Sequence, residues 1–389
     1  TVNSTAGAGD GGDIDLQAGR DLTLLMGSNG QTTLSSDGHK SNEDDCGDGG
    51  DLALDATGDL AIEGSVSISA DGAKPDCFGG AVELSALGDL SMGGLLAADG
   101  LGKESDGGEL DLLAGGDMVV SGSLRARAKG SAGGGGFIEL EAGGSVFVDS
   151  AATFDASGKS GGGEVGIIAD VDLSFSGQAD ASGGNSGIGG TIDLQAGLEA
   201  EISGTLLIEG ASTGEVNGDI LVDACWVTLL TGGQLTNIGE AGENSLTGRE
   251  RITVDAGAEV LADTGSGINT LLYRTPLKPP VVDGTVVPAA QLVLNENLFG
   301  CPVCGNAELD YSEDCDDGDL VDGGNGCAAD CSRNDVCGNG VVETIFEDCD
   351  DGNLVDGDGC DENCTATACG NGVVTAGEEC DDGASNSDN

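Results

Sequence analysis

The chain has 389 residues, of which 73 are Gly and only 3% aromatic, and it carries a formal charge of −57 at pH 7 from 13 Lys and Arg against 70 Asp and Glu. So little aromatic volume argues against a thick globular core, and so much negative charge excludes nucleic acid as a partner, because a polyanion would be repelled. Fourteen Cys, eleven of them from Cys301 to Cys380, imply an oxidising compartment, either secreted or cell-surface.

The dominant pattern is a unit opening on a Gly pair and running Gly-Gly-x-apolar-x-apolar-x-Ala-x-Gly-Asp-apolar-x-apolar. The pairs stand at Gly11-Gly12, Gly49-Gly50, Gly79-Gly80, Gly107-Gly108, Gly135-Gly136, Gly162-Gly163 and Gly189-Gly190, with a variant at Asn217-Gly218. The steps settle at 27 or 28 residues after two longer ones, so insertions fall only in the first two units. A fixed period of this length marks a solenoid. In the unit opening at Gly49, Leu52 and Leu54, then Leu60 and Ile62, then Val66 and Ile68 alternate with polar residues, which predicts three short strands per coil. Equivalent first-strand pairs are Ile14/Leu16, Val82/Leu84, Leu110/Leu112, Ile138/Leu140, Val165/Ile167, Ile192/Leu194, Ile220/Val222 and Ile252/Val254.

The expected fold is all-β: a right-handed parallel β-helix of about nine coils over residues 1–270, roughly 43 Å long at about 4.8 Å per rung. A β-sandwich would also alternate, but it does not explain the fixed register. Ten residues precede the first Gly pair, so either Thr1 to Thr5 forms a small cap strand or that end is open to another molecule. Cys46 and Cys77 each precede the next Gly pair, and stacked corners would bring them close enough for a disulfide. Residues 271–300 hold four of the six prolines and read as a capping linker, with Val281 to Val287 a hairpin around Asp283-Gly284 and a strand near Gln291 to Leu294. No apolar run approaches the roughly 18 to 20 residues of a membrane span.

From Cys304 a second repeat takes over. Cys304-Gly305-Asn306, Cys337-Gly338-Asn339-Gly340 and Cys369-Gly370-Asn371-Gly372 open units; Cys315-Asp316-Asp317-Gly318, Cys349-Asp350-Asp351-Gly352 and Cys380-Asp381-Asp382-Gly383 follow; Cys327-x3-Cys331 and Cys360-x3-Cys364 close the first two. Residues 301–389 thus form cysteine-rich modules whose third copy is incomplete, and the chain is read as continuing past Asn389. This segment resembles the Myxococcus-type cysteine-rich disulfide repeat of bacterial surface proteins and pappalysin-like proteins. The resemblance implies paired cysteines; zinc is the alternative for Cys-x3-Cys. The first unit departs from the pattern, with Ala307 for the second Gly and Gly323 to Gly326 in place of Asp-Gly-Asp-Gly. Cys225 and Cys301 are left over; a bond between them would fix the tail to the rod, unless Cys225 is a buried thiol. The Gly-Gly-x-Ile-Asp-Leu-x-Ala-Gly rhythm at Gly11 to Gly19 and Gly189 to Gly197 is similar to the β-helical repeats of filamentous-haemagglutinin-type adhesins.

Carboxylates are the only abundant reactive groups. Asp15, Glu83, Asp111, Glu139 and Asp193 are expected to stack outward, and Asp59, Asp89 and Asp117 to recur at one corner. Two unit charges about 4.8 Å apart repel by about 3.5 kcal/mol at an effective dielectric near 20, so something should offset these columns. Calcium would; solvation and salt screening are the alternative. In the tail, Asp350, Asp351, Asn353, Asp356 and Asp358, repeated as Asp316, Asp317, Asp319 and Asp322, form the candidate calcium loops, without the spacing of an EF-hand. Nothing in the chain calls for an organic cofactor.

Enzyme signatures are sparse. The single His39 sits beside Lys40 in the first insertion, which prevents a His-based triad elsewhere. Gly7-x-Gly9-x-x-Gly12 matches a dinucleotide fingerprint but has no strand before it and no helix after it, and Gly158-Lys159-Ser160 resembles the end of a P-loop with Thr153 in the place of its first Gly. Arg125, Arg127 and Lys129 form the one basic cluster on the rod; in the expected register Arg127 faces Asp155 one coil on, an ion pair. The expectation is a non-enzymatic extracellular structural or adhesive protein of bacterial origin, self-associating into a fibre or contacting surface glycans. The alternatives are a calcium-dependent carbohydrate-binding protein or a polysaccharide-active β-helix enzyme.

Overall fold

The computed structural model describes residues 2–3, 10–25, 32–39, 47–73, 77–184, 187–211, 217–301, 349, 352–361, 363–368 and 371–375. The chain divides into a unit from Thr1 to Leu298 and a second from Phe299 to Asn389. The first is a parallel β-solenoid with no α-helix among its described residues.

Three ladders build it. The first runs through Ile14–Ala18, Asp51–Ala56, Ala81–Ala86, Glu109–Ala114, Phe137–Ala142, Glu164–Ala169 and Thr191–Ala196. The second holds the three-residue strands Leu22–Leu24, Leu60–Ile62, Leu90–Met92, Met118–Val120, Val146–Val148 and Leu173–Phe175, then Glu199–Ile202. The third has eleven strands, from Val2–Asn3 to Thr285–Val287. Every pairing between these strands is parallel and, over the regular coils, like residues meet: Leu52 partners Val82, which partners Leu110, then Ile138, Val165, Ile192 and Ile220. The alternating inward residues are buried from the coil opened by Gly49 to Leu271, with the rings of Phe154 and Phe175 tilted against each other at a centroid distance of 5.9 Å. Burial of a Leu or Ile at each rung stabilises the stack by about 1.5–3 kcal/mol per side chain.

Why the unit opens on two glycines is a matter of backbone approach. In the regular coils the second Gly of the pair donates its amide to the carbonyl just past the third strand: Gly80 to Ala70 at 2.8 Å, Gly108 to Ala98 at 2.7 Å, Gly163 to Ala156 at 2.8 Å. At the same time its own carbonyl accepts from the next coil, as Gly80 does from Glu109 at 3.0 Å and Gly108 from Phe137 at 2.9 Å. A Cβ on Gly108 would run into the Gly80 carbonyl oxygen, and one on Gly79 into that of Ala98. The corner is backbone against backbone, so a side chain there forces the coils apart.

Val2–Asn3 adds a rung to the third ladder beside Leu34 and Ser35, the small terminal strand that was one of the two expectations for that end. Two expectations change. The Ile252/Val254 pair lies in the second ladder, opposite Val227 and Leu229; the first-ladder partners of Ile220 and Val222 are Asn244 and Leu246. There the corner straightens, Asp219–Leu229 and Glu243–Val254 each serving both ladders, and buried Asn244 bonds Asn269 at 2.8 Å in place of an apolar contact. The Pro-rich segment is no hairpin but a further coil laid along the edge of the one before it: Val281–Val282 pairs with Thr253 and Val254, Thr285–Val287 with Glu259 to Leu261, and Gln291–Leu294 with Thr270 to Tyr273. Asp283-Gly284 turns the chain because both amides bond Val254 O, at 2.8 and 3.0 Å, which makes it a solenoid corner. The solenoid therefore extends past residue 270 to about Leu294.

Gly108→Ala is expected to destabilise the solenoid by about 1–3 kcal/mol through overpacking. Gly166→Ala, whose Cβ would meet nothing closer than Glu139 Cγ at 3.9 Å, should stay within about 0.5 kcal/mol. Chemical denaturation of both variants checks this; equal losses would contradict the close-approach account.

Candidate functional site

The corner carboxylates do more than line up. Asp21, Asp59, Asp89 and Asp117 each accept, through Oδ1, the backbone N–H of the equivalent residue one coil on: Asp59 at 3.2 Å, Asp89 at 3.0 Å, Asp117 at 2.9 Å and Ser145 at 2.8 Å. A second column follows the third ladder, where Asp37 accepts from Asp71 N at 2.9 Å, Asp71 from Asp99 N at 2.8 Å and Asp99 from Arg127 N at 3.3 Å. A third precedes the Gly pairs, Asp48 accepting from Phe78 N at 2.8 Å and Asp106 from Gly134 N at 2.7 Å. The corner carboxylates thus have main-chain donors as partners. The outward first-ladder column is less regular than expected, because Ala53 separates Asp15 from Glu83 and Gly166 separates Glu139 from Asp193. Only Glu83, Asp111 and Glu139 are contiguous.

The second column ends in the densest charge cluster among the described residues. Asp99 has no solvent exposure. Its carboxylate meets Lys129 Nζ at 2.7 Å, Arg127 Nε at 3.2 Å and Arg125 Nη2 at 3.4 Å. Arg127 reaches on to Asp155 at 3.0 Å, the expected ion pair, although the strand register sets Arg125 opposite Asp155 and Arg127 crosses diagonally. Asp155 is further held by Ser157 Oγ at 2.6 Å. The basic cluster is therefore a clamp on a buried carboxylate that ties three coils together. Beside it, Lys103, Lys129 and Lys159 line a cleft of about 620 Å³, and Lys159 also borders a smaller one of about 240 Å³ with Asp180 and Glu209.

Burial pushes the Asp71 carboxyl up to about 6; the Asp99 amide pulls it down, and the charges of Asp99 and Asp37 push it further up. Asp111 is also raised to about 6, by burial first and then by Glu109, Glu139 and Glu83. Burial likewise raises Glu199, Asp219 and Asp223, the last despite its ion pair with Arg249. His39 is exposed, its ring 3.1 Å from the Asp37 carbonyl.

In the second unit Cys349 and Cys360 form a disulfide, with Cα atoms 5.7 Å apart. Cys77, Cys225, Cys301 and Cys364 are disulfide-bonded too, so Cys225 is not a thiol. Cys46, Cys304, Cys315, Cys327, Cys331, Cys337, Cys369 and Cys380 lie outside the described residues, as do Asp316, Asp317, Asp319, Asp322, Asp350 and Asp351. Of the candidate calcium ligands, Asn353 turns its amide nitrogen to Asp358 Oδ2 at 3.3 Å and its oxygen to Val355 N at 2.7 Å, while Asp356 lies in the same loop. Among the described residues no group of three or more His, Cys, Asp or Glu is placed to hold a metal.

The hub of this loop is Asp361, which no sequence pattern marks out. It is buried and accepts from Gly357 N at 2.8 Å, Thr367 Oγ1 at 2.7 Å and Asn371 Nδ2 at 2.5 Å. Burial raises its pKa, but the bonds from Thr367, Gly357 and Asn371 outweigh that and hold it below the ordinary carboxylate range. Its only signal in the sequence is its place directly after Gly357-Asp358-Gly359-Cys360. Comparison of the chain with protein-family models, with curated proteins and with solved structures gave no match. No helix among the described residues is long and apolar enough to cross a membrane.

Because the folded-state pKa of Asp71 lies above its unfolded value, its contribution to stability is complete below about pH 4 and is lost as pH rises through about 6. Ionising it in place costs on the order of 2–3 kcal/mol. Asp71→Asn keeps an oxygen for the Asp99 amide, so its thermal midpoint should exceed that of the parent at pH 7.5 and converge with it at pH 4. Calorimetry across that range checks this; a variant less stable at every pH would contradict it.

Proposed function

We propose that the chain is an extracellular structural or adhesive protein of bacterial origin, a stiff acidic rod followed by disulfide-braced modules, that works within a surface fibre or matrix through reach and contact instead of turnover. The observation that carries this reading is the continuity of the stack: eleven strands in the third ladder, like residues in columns, and a carboxylate–amide bond at corner after corner. At about 4.8 Å per rung the ladder spans about 48 Å, and its cross-coil bonding makes it resist bending. Disulfides in both units support an oxidising, extracellular setting. The basic residues that an enzyme acting on acidic polysaccharides would need are committed to Asp99 and Asp155, which favours a structural role for them.

A glycan-binding reading draws on one feature, the polar cleft where Lys159 stands beside Asp180, Ser182 and Glu209. Calcium in the tail loops belongs to the same proposal. Electron microscopy of native and purified material is the test: filaments or bundles of thin rods are expected, and monodisperse single particles at high concentration with calcium would overturn the fibre. Degradation of acidic polysaccharides by the purified chain would overturn the passive role.

A further inference from the structure

Apart from the Asp99 clamp, four of the chain's 13 basic residues stand at one corner of the late coils, where the first ladder gives way to the second: Arg249, Arg251, Arg274 and Lys278. Two are committed, Arg249 to Asp223 and Lys278 to Glu250. Arg251 and Arg274 have no ion pair and no side-chain hydrogen bond among the described residues, although Asp and Glu outnumber Lys and Arg by 70 to 13. Arg251 is exposed and Arg274 half-buried. The chain's single Trp stands beside them. On the outward face of the second ladder, Trp226 is the in-register partner of Glu199 on one side and of Arg251 on the other. Further along the same strands, Thr228 lies between Glu201 and Thr253. The placement comes from a bulge in which Arg249 and Glu250 together stand opposite Cys225. A bulge re-aims the side chains next to it, and this one brings Arg251 level with the indole.

We propose that this face is a binding site for an acidic saccharide, a chain of pyranose rings carrying carboxylates or sulfates. The indole of Trp226 offers a rigid apolar surface to the face of one ring. Arg251 presents a planar donor fork to the acidic group of that sugar. Tyr273 is the partner of Gly248, so Arg274 lies one coil beyond the Arg249 to Arg251 corner and presents a second fork to the next acidic group along the ligand. On the other side of the indole, Glu199 accepts from sugar hydroxyls, and the hydroxyls of Thr228 and Thr253 donate or accept beside it.

The combination selects the ligand. An acidic peptide would use the arginines and leave the indole and the hydroxyl row idle, and a neutral sugar would do the reverse. The net charge of −57 does not close the site, because charge beyond about 8 Å is screened at physiological ionic strength and the nearest carboxylates, Asp223 and Glu250, are already paired. Two uncancelled arginines meet one or two acidic sugars at contact, whereas a nucleic acid needs a longer run of cations. The inference rests on the reading of the rod as a contact surface and names its ligand class and the face used; it does not require rods to join.

Because Trp226 is the one Trp of the chain, indole emission reports on this face alone. The full chain, at pH 7.5 and about 0.15 M salt, is titrated with oligogalacturonate, which carries carboxylates, and with carrageenan oligosaccharides, which carry sulfates. At least one should change the emission to saturation and give heat in calorimetry, and the one that does so names the acidic group. Arg251→Gln with Arg274→Gln should weaken that binding at least tenfold at an unchanged thermal midpoint, because neither guanidinium holds another residue. Methyl-esterified oligogalacturonate, the same ring without charge, and polyglutamate, charge without a ring, should each bind at least tenfold more weakly. An indole silent to both acidic oligosaccharides would overturn the site, as would binding that the arginine double variant leaves intact or that either control matches. Binding lost in Lys159→Gln and kept in the arginine variant would place the ligand in the Lys159 cleft and overturn it too. Filaments in micrographs alongside a silent indole sink the site and leave the rod assembly standing; a responding indole on chains that stay monomeric upholds the site and removes the fibre.

Discussion

The structure depends on the close approach of one main chain to the next at the Gly-Gly corner. At that point the chain ends one coil and begins another, and it does so with an amide bonded back to the closing strand and a carbonyl bonded onward to the next coil, as at Gly108. No side chain fits there. Because the approach fixes where each coil starts, it also fixes which residue lies over which, and the columns of Leu, Ile and Val inside the rod follow from it. The hydrophobic core supplies most of the stabilising free energy, but any apolar alternation could supply that. The glycines select one register among the possible ones.

Columns of like residues create the chief difficulty of a solenoid, which is that charges stack as readily as leucines. The chain handles this differently at its corners and on its faces. At the corners each Asp turns its carboxylate to an amide of the neighbouring coil, so the residue that repels its equivalents also bonds to their backbone. On the face of the first ladder Asp111 is raised to about 6, by burial first and then by the carboxylates of Glu109, Glu139 and Glu83. The buried Asp99 is a third solution, a corner carboxylate surrounded by three cations drawn from a single neighbouring coil. Truncating such a residue would leave several charges short of a partner, which is costly in a low-dielectric setting.

Much of this was legible in the residues and some was not, for physical reasons. The Gly pairs and the alternation of Leu52, Leu54, Leu60, Ile62, Val66 and Ile68 announce three strands per coil, and the strands fall there. Where a coil loses its Gly pair, periodicity loses its reference. Ile252 and Val254 then read as a first strand, although buried Asn244 and Leu246 hold the first-ladder positions and the apolar pair continues the same long strand into the second ladder. Asp283-Gly284 misleads in another way, because a hairpin turn and a solenoid corner ask for the same residue types and only the edge left by Glu243–Val254 decides between them. The Asp columns were visible as spacing, but their partners are main-chain amides, which side-chain patterns do not display. Asp361 was overlooked because nothing in its spacing separates a carboxylate that organises a loop from the solvated ones around it.

The central claim is that successive coils lie directly over one another, so that distance along the rod grows by one rung per repeat. Pulsed electron resonance between spin labels on the outward second-ladder positions tests it most directly. Ala61, Ser91, Val119, Phe147, Ser174, Glu201 and Thr228 occupy one column. With one label fixed at Ala61, the account predicts about 24 Å to Glu201 and about 29 Å to Thr228, a step of one rung. Distances that fail to rise from Glu201 to Thr228, or that broaden without a defined maximum, would contradict the stacked rod.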